Sequence, residues 1–225
     1  MTGRSVRPEY VSVTADDIAG LPGLDDWRYV VGTLDATFRA GSYASAAALV
    51  QDIVDAAEAA DHHPSLDLRW PDRVHVRLTT HVTGGVTMHD VGLASVISSL
   101  AASQGASSEP SSTQEVEVAI DTLDADRIRP FWQAVLGYVE RDGSLVDPRG
   151  IGPMFWFQTM TEPRTERSRF HIDVSVAHDE ALARIDAALA AGGRMVTDRF
   201  ARSWWVLADA DGNEACVCTW QDRNG

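Results

Sequence analysis

Histidine is concentrated in one short stretch of this sequence, together with acidic and hydroxyl side chains. The stretch contains Asp-His-His-Pro at 61–64, Thr-Thr-His at 79–81 and an aspartate at 90, and five of the seven histidines lie between His62 and His89. An imidazole can accept and donate a proton near neutral pH, and it is also a common metal ligand. The cluster could therefore carry out proton transfer, bind a metal ion or contain only structural histidines.

The spacing of the first two histidines favours proton transfer or ligand binding over metal ligation. His62 and His63 are adjacent, so they cannot share one face of a helix or of a strand. Metal sites usually aim two ligands at one point, for example by i and i+4 spacing on a helix. Pro64 disfavours a helical conformation at His63 and ends the preceding helix. We therefore expect the two rings to diverge at a chain reversal, as the two sides of a flat substrate would require.

The next segment predicts a strand followed by a helix. Apolar and polar residues alternate over 74–80, which is typical of a strand with one apolar face and places His81 at its end. After the Gly84-Gly85 turn, Thr87 can cap a helix that carries Asp90 in its first turn. Asp90 would then either be an acid favoured by the helix dipole or orient and polarise His81.

Other elements complete a compact unit around this cluster. Residues 27–31 and 34–38 are predicted to be short strands, and residues 43–60 carry apolar side chains at helical spacing. With the strand at 74–80 and a helix from about 89, these elements predict an α+β fold. In it, an antiparallel sheet has its helices on one face.

From about residue 24 to residue 101 the sequence resembles pterin-4a-carbinolamine dehydratase, also called 4a-hydroxytetrahydrobiopterin dehydratase. The matching residues are Ala57-Glu58, Asp61-His62-His63-Pro64, Val74, Leu78-Thr79-Thr80-His81, Gly85-Val86-Thr87, Asp90 and Leu93-Ala94. The resemblance implies a hydro-lyase that removes water from the 4a-hydroxy pterin left by aromatic amino-acid hydroxylases. The product is quinonoid dihydropterin, and neither a metal nor a cofactor is needed.

The resemblance also implies a role for each residue of the cluster. By this resemblance, the catalytic residues of the cluster are His62, His63, His81 and Asp90. Its substrate-binding residues are Asp61, Pro64, Thr79 and Thr80. His62 and His81 form the acid/base pair, His63 contacts the pterin and Asp90 holds the site. Elimination of water needs a base for the ring N–H and an acid for the departing hydroxyl, which histidines on two sides of a flat ring can supply.

Composition limits the other functions of the chain. The 225 residues include 19 basic side chains against 33 acidic ones, giving a net charge of −14. All the basic residues are arginine, which excludes Schiff-base catalysis by lysine. Nucleic-acid and anionic-membrane partners are not expected, because neither half carries a basic patch. The sequence lacks a signal segment and a membrane-length apolar run, so we expect a soluble, cytoplasmic protein. We also expect its two cysteines, Cys216 and Cys218, to be reduced.

A Ser-rich segment at 105–114 predicts a linker between a first domain at 1–104 and a second at 115–225. The second domain repeats a strand, a helix and further strands. Two βαβββ units in tandem are the architecture of the vicinal oxygen chelate superfamily. Residues 124–137, 170–174 and the Asp-x-Asp-Gly-Asn-Glu turn at 209–214 resemble a glyoxalase-like domain of that superfamily.

The second resemblance implies a possible divalent metal. In metal-using members the ligands come from the first strand of each unit and from a late strand. These positions are Glu117, His171 and Glu214, with Gln158 as a weaker fourth candidate, a set that would suit a hard or borderline ion. Alternatively, Glu214 is only a turn acid and His171 only a strand residue that faces a cavity.

Three functions fit the sequence. The first is a working pterin dehydratase with an appended glyoxalase-like domain of unknown substrate. The second is a metal-dependent glyoxalase-like or dioxygenase-like enzyme whose first domain only binds pterin or oligomerises. The third is a non-catalytic ligand-binding protein. In each case we expect a homo-oligomer, because both resembled families assemble through sheet edges or paired modules.

Overall fold

The computed structural model describes residues 10–164, 166 and 169–222. The chain divides into two compact units, unit 1 at Met1–Glu115 and unit 2 at Val116–Gly225. Residues 1–9, where the sequence predicts no signal segment, lie outside the described part. No helix in the described part combines the length and the apolar character needed to cross a membrane.

Unit 1 is built on an antiparallel sheet. Its elements are α1 (Ala15–Ala19), β1 (Arg28–Val30), β2 (Thr33–Arg39), α2 (Tyr43–Ala60), β3 (Ser65–Arg69), β4 (Arg73–Leu78), α3 (Met88–Ser103) and β5 (Ser107–Ser108). The strand order is β1-β2-β4-β3, and β5 pairs with β2 beyond the end of β1. The predicted α+β class is confirmed.

The core of unit 1 lies between this sheet and the two long helices. Strand β4 turns Val74, Val76 and Leu78 into the core, where all three are fully buried, and leaves its intervening side chains on the other face. Helix α2 contributes Leu49 and Ile53, which are equally buried in the same cluster. Burying one such side chain stabilises the fold by about 1.5–3 kcal/mol. The buried apolar residues of α2 therefore belong to the core of unit 1.

The ends of the two long helices position the histidine cluster. Helix α2 is capped by Asp61, whose left-handed backbone (φ 48°) turns the chain so that His62 and His63 leave the helix axis. Helix α3 begins after Thr87, and Asp90 accepts a hydrogen bond from the Thr87 N–H in a reciprocal capping arrangement. The predicted cap at Thr87 is confirmed.

Residues 105–114 do not behave as the predicted linker. Ser107 and Ser108 form β5, and the N–H of Glu109 donates to the carbonyl of Thr37 at 2.8 Å. The Glu109 carboxylate accepts from Arg73 Nε, also at 2.8 Å. This segment is held by backbone pairing and by ion pairs of Glu109 with Arg73 and Arg39. None of these contacts produces an apolar periodicity in the sequence. The segment therefore belongs to unit 1.

On the face of the sheet that carries no core, Asp35 is the centre of a polar cluster. Its carboxylate is 1% exposed, accepts from Arg77 Nε at 2.8 Å and lies 3.2 Å from His75 Nε2. Burial raises the pKa of this carboxyl, but hydrogen bonds from His75, Thr33 and Arg77 outweigh that effect and hold the pKa below its ordinary value of 3.8. Asp35 therefore stabilises unit 1 in its charged form.

Unit 2 consists of two βαβββ modules, as predicted. The first contains β6 (Glu117–Thr122), α4 (Ala125–Leu136), β7 (Val139–Arg141), β8 (Ser144–Val146) and β9 (Met154–Thr159). The second contains β10 (Ile172–Ser175), α5 (Ala181–Ala190), β11 (Arg194–Thr197), β12 (Trp204–Ala208) and β13 (Glu214–Cys218). The sheet orders are β6-β9-β8-β7 and β10-β13-β12-β11, and the first-named pair of each sheet is parallel.

The turn between β12 and β13 joins the two modules. Asp209 has no exposed surface and accepts a hydrogen bond from the indole N–H of Trp132, in α4, at 2.9 Å. The same carboxylate accepts from the side-chain amide of Asn213 and from two backbone N–H groups of the turn. Asp211, two residues on, accepts from the Thr122 hydroxyl at 2.6 Å. The acidic turn thus fixes the second module to the first.

Replacing Asp209 by Ala is expected to lower the free energy of unfolding of unit 2 by about 2–4 kcal/mol, because the buried indole N–H of Trp132 and three partly buried donors of the turn lose their acceptor. Urea denaturation followed by tryptophan fluorescence measures the change. The matched control is Asp186→Ala on the exposed side of α5, which should alter the stability by less than about 0.5 kcal/mol. Equal stability of the two variants would contradict the assigned role.

Asp35→Asn is expected to lower the unfolding free energy of unit 1 at pH 7 by about 1–3 kcal/mol, because it removes a charged acceptor. The folded pKa of Asp35 is depressed, so its contribution is complete above the unfolded value of 3.8 and is lost as the pH falls through the folded value. The difference between wild type and variant should therefore shrink below about pH 4. Amide exchange of β2 across this range measures it, and a difference independent of pH would refute the assignment.

Candidate active site

The Asp90 carboxylate is the centre of the cluster in unit 1. The residue has no exposed surface, and its Oδ1 lies 2.7 Å from His62 Nε2. Its Oδ2 accepts from the Thr80 hydroxyl and from the Thr87 N–H, both at 2.7 Å. A buried carboxylate is tolerated only when such donors replace water. Asp90 therefore holds together the end of α2, the segment after β4 and the start of α3.

His62 is the histidine that this carboxylate orients. Its side chain is 11% exposed, and Nε2 faces the buried oxygen of Asp90. Because a carboxylate can only accept a hydrogen bond, Nε2 carries the hydrogen, and Nδ1 is the basic nitrogen of the neutral ring. Within the described residues, Nδ1 has no hydrogen-bond partner. His62 can therefore accept a proton at Nδ1 while Asp90 stabilises the resulting positive charge.

His89 is a neighbour of His62 that the sequence reasoning missed. Its ring meets the His62 ring edge-on, with centroids 5.6 Å apart and an angle of 76°. On its other side His89 stacks on Tyr10, with centroids 5.3 Å apart. The only signal in the sequence was its position directly before Asp90, in the first turn of α3. The contact restricts the plane in which the His62 ring can lie.

His63 and His81 are more exposed than His62, and neither is hydrogen-bonded to Asp90 within the described residues. His63 is exposed, and its Nε2 is 3.0 Å from Glu58 Oε1 on α2. His81 is exposed in the turn that Thr80 and Gly85 close by backbone pairing. Asp90 makes its hydrogen bonds with His62, Thr80 and Thr87. The structure therefore does not show the alternative in which Asp90 orients His81.

The predicted substrate-binding residues occupy different environments. Thr80 is 3% exposed, and its hydroxyl is bonded to Asp90 and to the Thr87 hydroxyl, so it positions the carboxylate. Asp61 is exposed at the helix end, and Pro64 and Thr79 are partly exposed. Asp61, Pro64 and Thr79 are therefore accessible to a ligand, whereas the hydroxyl of Thr80 is already occupied by Asp90 and Thr87.

In unit 2 the structure brings together only part of the predicted metal set. His171 and Glu214 line a cavity of about 300 Å³ with Trp132 and Asn213. Glu117 is exposed at the start of β6 and is absent from the described lining of that cavity, and Gln158 is exposed on β9. The oxygen-rich set of Glu117, His171 and Glu214 therefore does not converge on one point within the described residues.

A different group of potential metal ligands converges on the sheet formed by β10, β11, β12 and β13. The potential ligand atoms of His171, Asp173 and Cys216 all lie within 4.8 Å of one another. Cys216 is buried, and this burial, followed by the hydrogen bond and charge of Asp173, raises the pKa of its thiol to about 12. Cys216 and Cys218 are both buried and are not joined by a disulfide. Without a cation, Cys216 is therefore a protonated thiol and not a nucleophile.

Comparison with known proteins identifies both units. Residues 12–100 match the family model "Pterin 4 alpha carbinolamine dehydratase", and residues 117–218 match "Glyoxalase-like domain". A protein of Thermosynechococcus vestitus, provisionally named pterin-4-alpha-carbinolamine dehydratase, is 46% identical over 87 residues, which cover 39% of this chain and 90% of the relative. A Nocardia farcinica protein with the same provisional name is 42% identical over 101 residues, which cover 45% of this chain and 99% of the relative.

Two solved structures resemble one part of the chain each. A transcriptional coactivator/pterin dehydratase from Brucella melitensis has 28% identity and a TM-score of 0.38, over 40% of this chain and 99% of that one. A glyoxalase/bleomycin resistance protein/dioxygenase family enzyme from Burkholderia phytofirmans has 19% identity and a TM-score of 0.38, over 46% of this chain and 95% of that one. At these TM-scores neither structure supports a statement about activity. The two family models and the two relatives show that the chain belongs to the pterin-4-alpha-carbinolamine dehydratase family through unit 1 and carries a glyoxalase-like domain in unit 2.

Proposed function

We propose that unit 1 is a hydro-lyase that dehydrates 4a-hydroxytetrahydrobiopterin to quinonoid dihydropterin. The observation that carries this proposal is the hydrogen bond between the buried Asp90 carboxylate and His62. It gives one histidine a fixed orientation, a defined tautomer and a stabilised cationic form. Family membership supplies the substrate class, and the chemistry of that substrate agrees with what this pair can do.

The reaction needs one proton removed and one delivered. A base takes the proton from the ring N–H beside the hydroxyl-bearing carbon, the electron pair forms a C=N bond, and the hydroxyl departs with a proton as water. In our proposal His62 Nδ1 accepts the first proton, and Asp90 stabilises the imidazolium. When His62 has taken this proton and a second acid has protonated the hydroxyl, His62 loses its proton to solvent and the second acid regains one, so the reaction balances without a metal or a cofactor.

The remaining histidines have supporting roles in this proposal. His81 is the second acid/base group and protonates the departing hydroxyl, and the exposed His63 contacts the pterin. Asp61, Pro64 and Thr79 bind the substrate. His89 positions the ring of His62 by its edge-on contact and does not exchange protons with the substrate.

We also propose that the protein acts on its free small-molecule substrate as a cytoplasmic homo-oligomer.

His62→Ala should lower the rate of 4a-hydroxytetrahydrobiopterin dehydration by about 10²–10⁴-fold, which is the usual contribution of a positioned acid/base group. Stopped-flow absorbance of the purified full chain measures this rate. The control is His178→Ala, which removes an exposed histidine of unit 2 and should leave the rate unchanged. Dehydration at the wild-type rate by folded His62→Ala protein would exclude His62 as the base.

Asp90→Asn should lower the same rate by at least about tenfold, because the amide keeps the size of the side chain but cannot stabilise the imidazolium. It should also cost about 1 kcal/mol of stability through the weakened cap of α3. Asp17→Asn is the matched control, since Asp17 makes the same reciprocal cap with Thr14 at the start of α1. Its rate should equal that of wild type. Equal losses in both variants would mean that capping, not orientation of His62, is what Asp90 provides.

A further inference from the structure

The strand register of unit 2 places three chemically different ligand groups side by side. Strands β10 and β13 are parallel, and Asp173 lies directly opposite Cys216. Residues two apart along a strand share a face, and the side chain of His171, just before β10, reaches the same place. His171 Nδ1 is 2.9 Å from Asp173 Oδ1 and 3.4 Å from Cys216 Sγ. The backbone of a sheet therefore fixes the arrangement.

We propose that His171, Asp173 and Cys216 form a binding site for a borderline divalent cation of the Zn²⁺ class. This site is separate from the dehydratase site of unit 1, whose proposed reaction needs no metal. It also differs from the set predicted from the sequence, because a thiol and Asp173 take the places of two glutamates.

The distances suit a small tetrahedral ion. With Zn–N and Zn–O bonds of about 2.0 Å and a Zn–S bond of about 2.3 Å, tetrahedral angles place the ligand atoms about 3.3–3.6 Å apart. The observed separations of 2.9 and 3.4 Å need only small side-chain adjustments to reach those values. A nitrogen, an oxygen and a sulfur ligand favour Zn²⁺ or Co²⁺ over Mg²⁺ and Ca²⁺, which prefer oxygen ligands alone.

The surroundings leave room for a further ligand on the ion. A second cavity, of about 400 Å³, is lined by Cys216, His171 and Trp204, and it shares His171 and Glu214 with the 300 Å³ cavity. Three protein ligands beside open space are typical of zinc sites that keep a fourth position for water or a small molecule. The alternative is a buried core thiol beside an exposed hydrogen bond between His171 and Asp173, with no affinity for metals.

Spectroscopic titration of the full chain with Co²⁺ separates these two possibilities. Protein stripped with a chelator and titrated with Co²⁺ should develop a thiolate-to-cobalt charge-transfer band in the near ultraviolet at one equivalent. Zn²⁺ should abolish the band, and Mg²⁺ in large excess should not. A lack of saturable binding, or binding without the charge-transfer band, would overturn the proposal.

Matched variants assign the ligands. Cys216→Ser should remove the band and weaken Zn²⁺ binding by at least about tenfold, whereas Cys218→Ser, which alters another buried thiol of the same strand, should keep both. Because a change at a buried position can impair folding, His171→Ala provides a second test at an exposed position. It should weaken Zn²⁺ binding by a similar factor, with the exposed His178→Ala as its control. A band that survives in Cys216→Ser or disappears in Cys218→Ser would refute the assigned ligand.

Discussion

The buried carboxylate of Asp90 is the interaction on which unit 1 depends. A charged group without exposed surface must find its donors in the protein, and Asp90 finds them at the end of α2, after β4 and at the start of α3. The same hydrogen bonds therefore stabilise the fold and set the orientation of His62. The contributions of Asp90 to stability and to catalysis cannot be separated, because His62, which donates a hydrogen bond to the carboxylate, is also the proposed base.

Unit 2 follows the same principle with a different residue. Asp209 is as deeply buried as Asp90. It accepts hydrogen bonds from the indole N–H of Trp132 and from the turn that precedes β13. That turn sets where β13 begins, and the parallel pairing of β13 with β10 then brings Cys216 opposite Asp173. An acidic turn that holds two modules together thus also determines which side chains share the concave region beside the cavities.

Much of the fold could be predicted because local signals agreed with one another. Helix α2 was predicted at 43–60 from its apolar stripe and from Pro64 beyond its end, and the Thr87 cap followed from its spacing to Asp90. Strand β3 was missed, because only Leu66 and Leu68 mark its inner face. The pairing of Asp90 with His62 could not be predicted, since it depends on how the end of α2 docks against α3. The same limit applies to the proposed metal ligands of unit 2. The pairing register of β10 and β13 brings Cys216 close to His171, and no spacing in the sequence indicates that register.

The most direct test of the account is the tautomer of His62, read from the nitrogen chemical shifts of its ring in the ligand-free protein. If Asp90 accepts a hydrogen bond from Nε2, the neutral ring should be the Nε2–H tautomer, with Nδ1 unprotonated. In Asp90→Asn the amide can donate to Nε2, so the Nδ1–H form should gain population. A neutral His62 that carries its hydrogen on Nδ1 in the wild-type protein would contradict the account, because the base proposed for dehydration would then point its lone pair at a carboxylate.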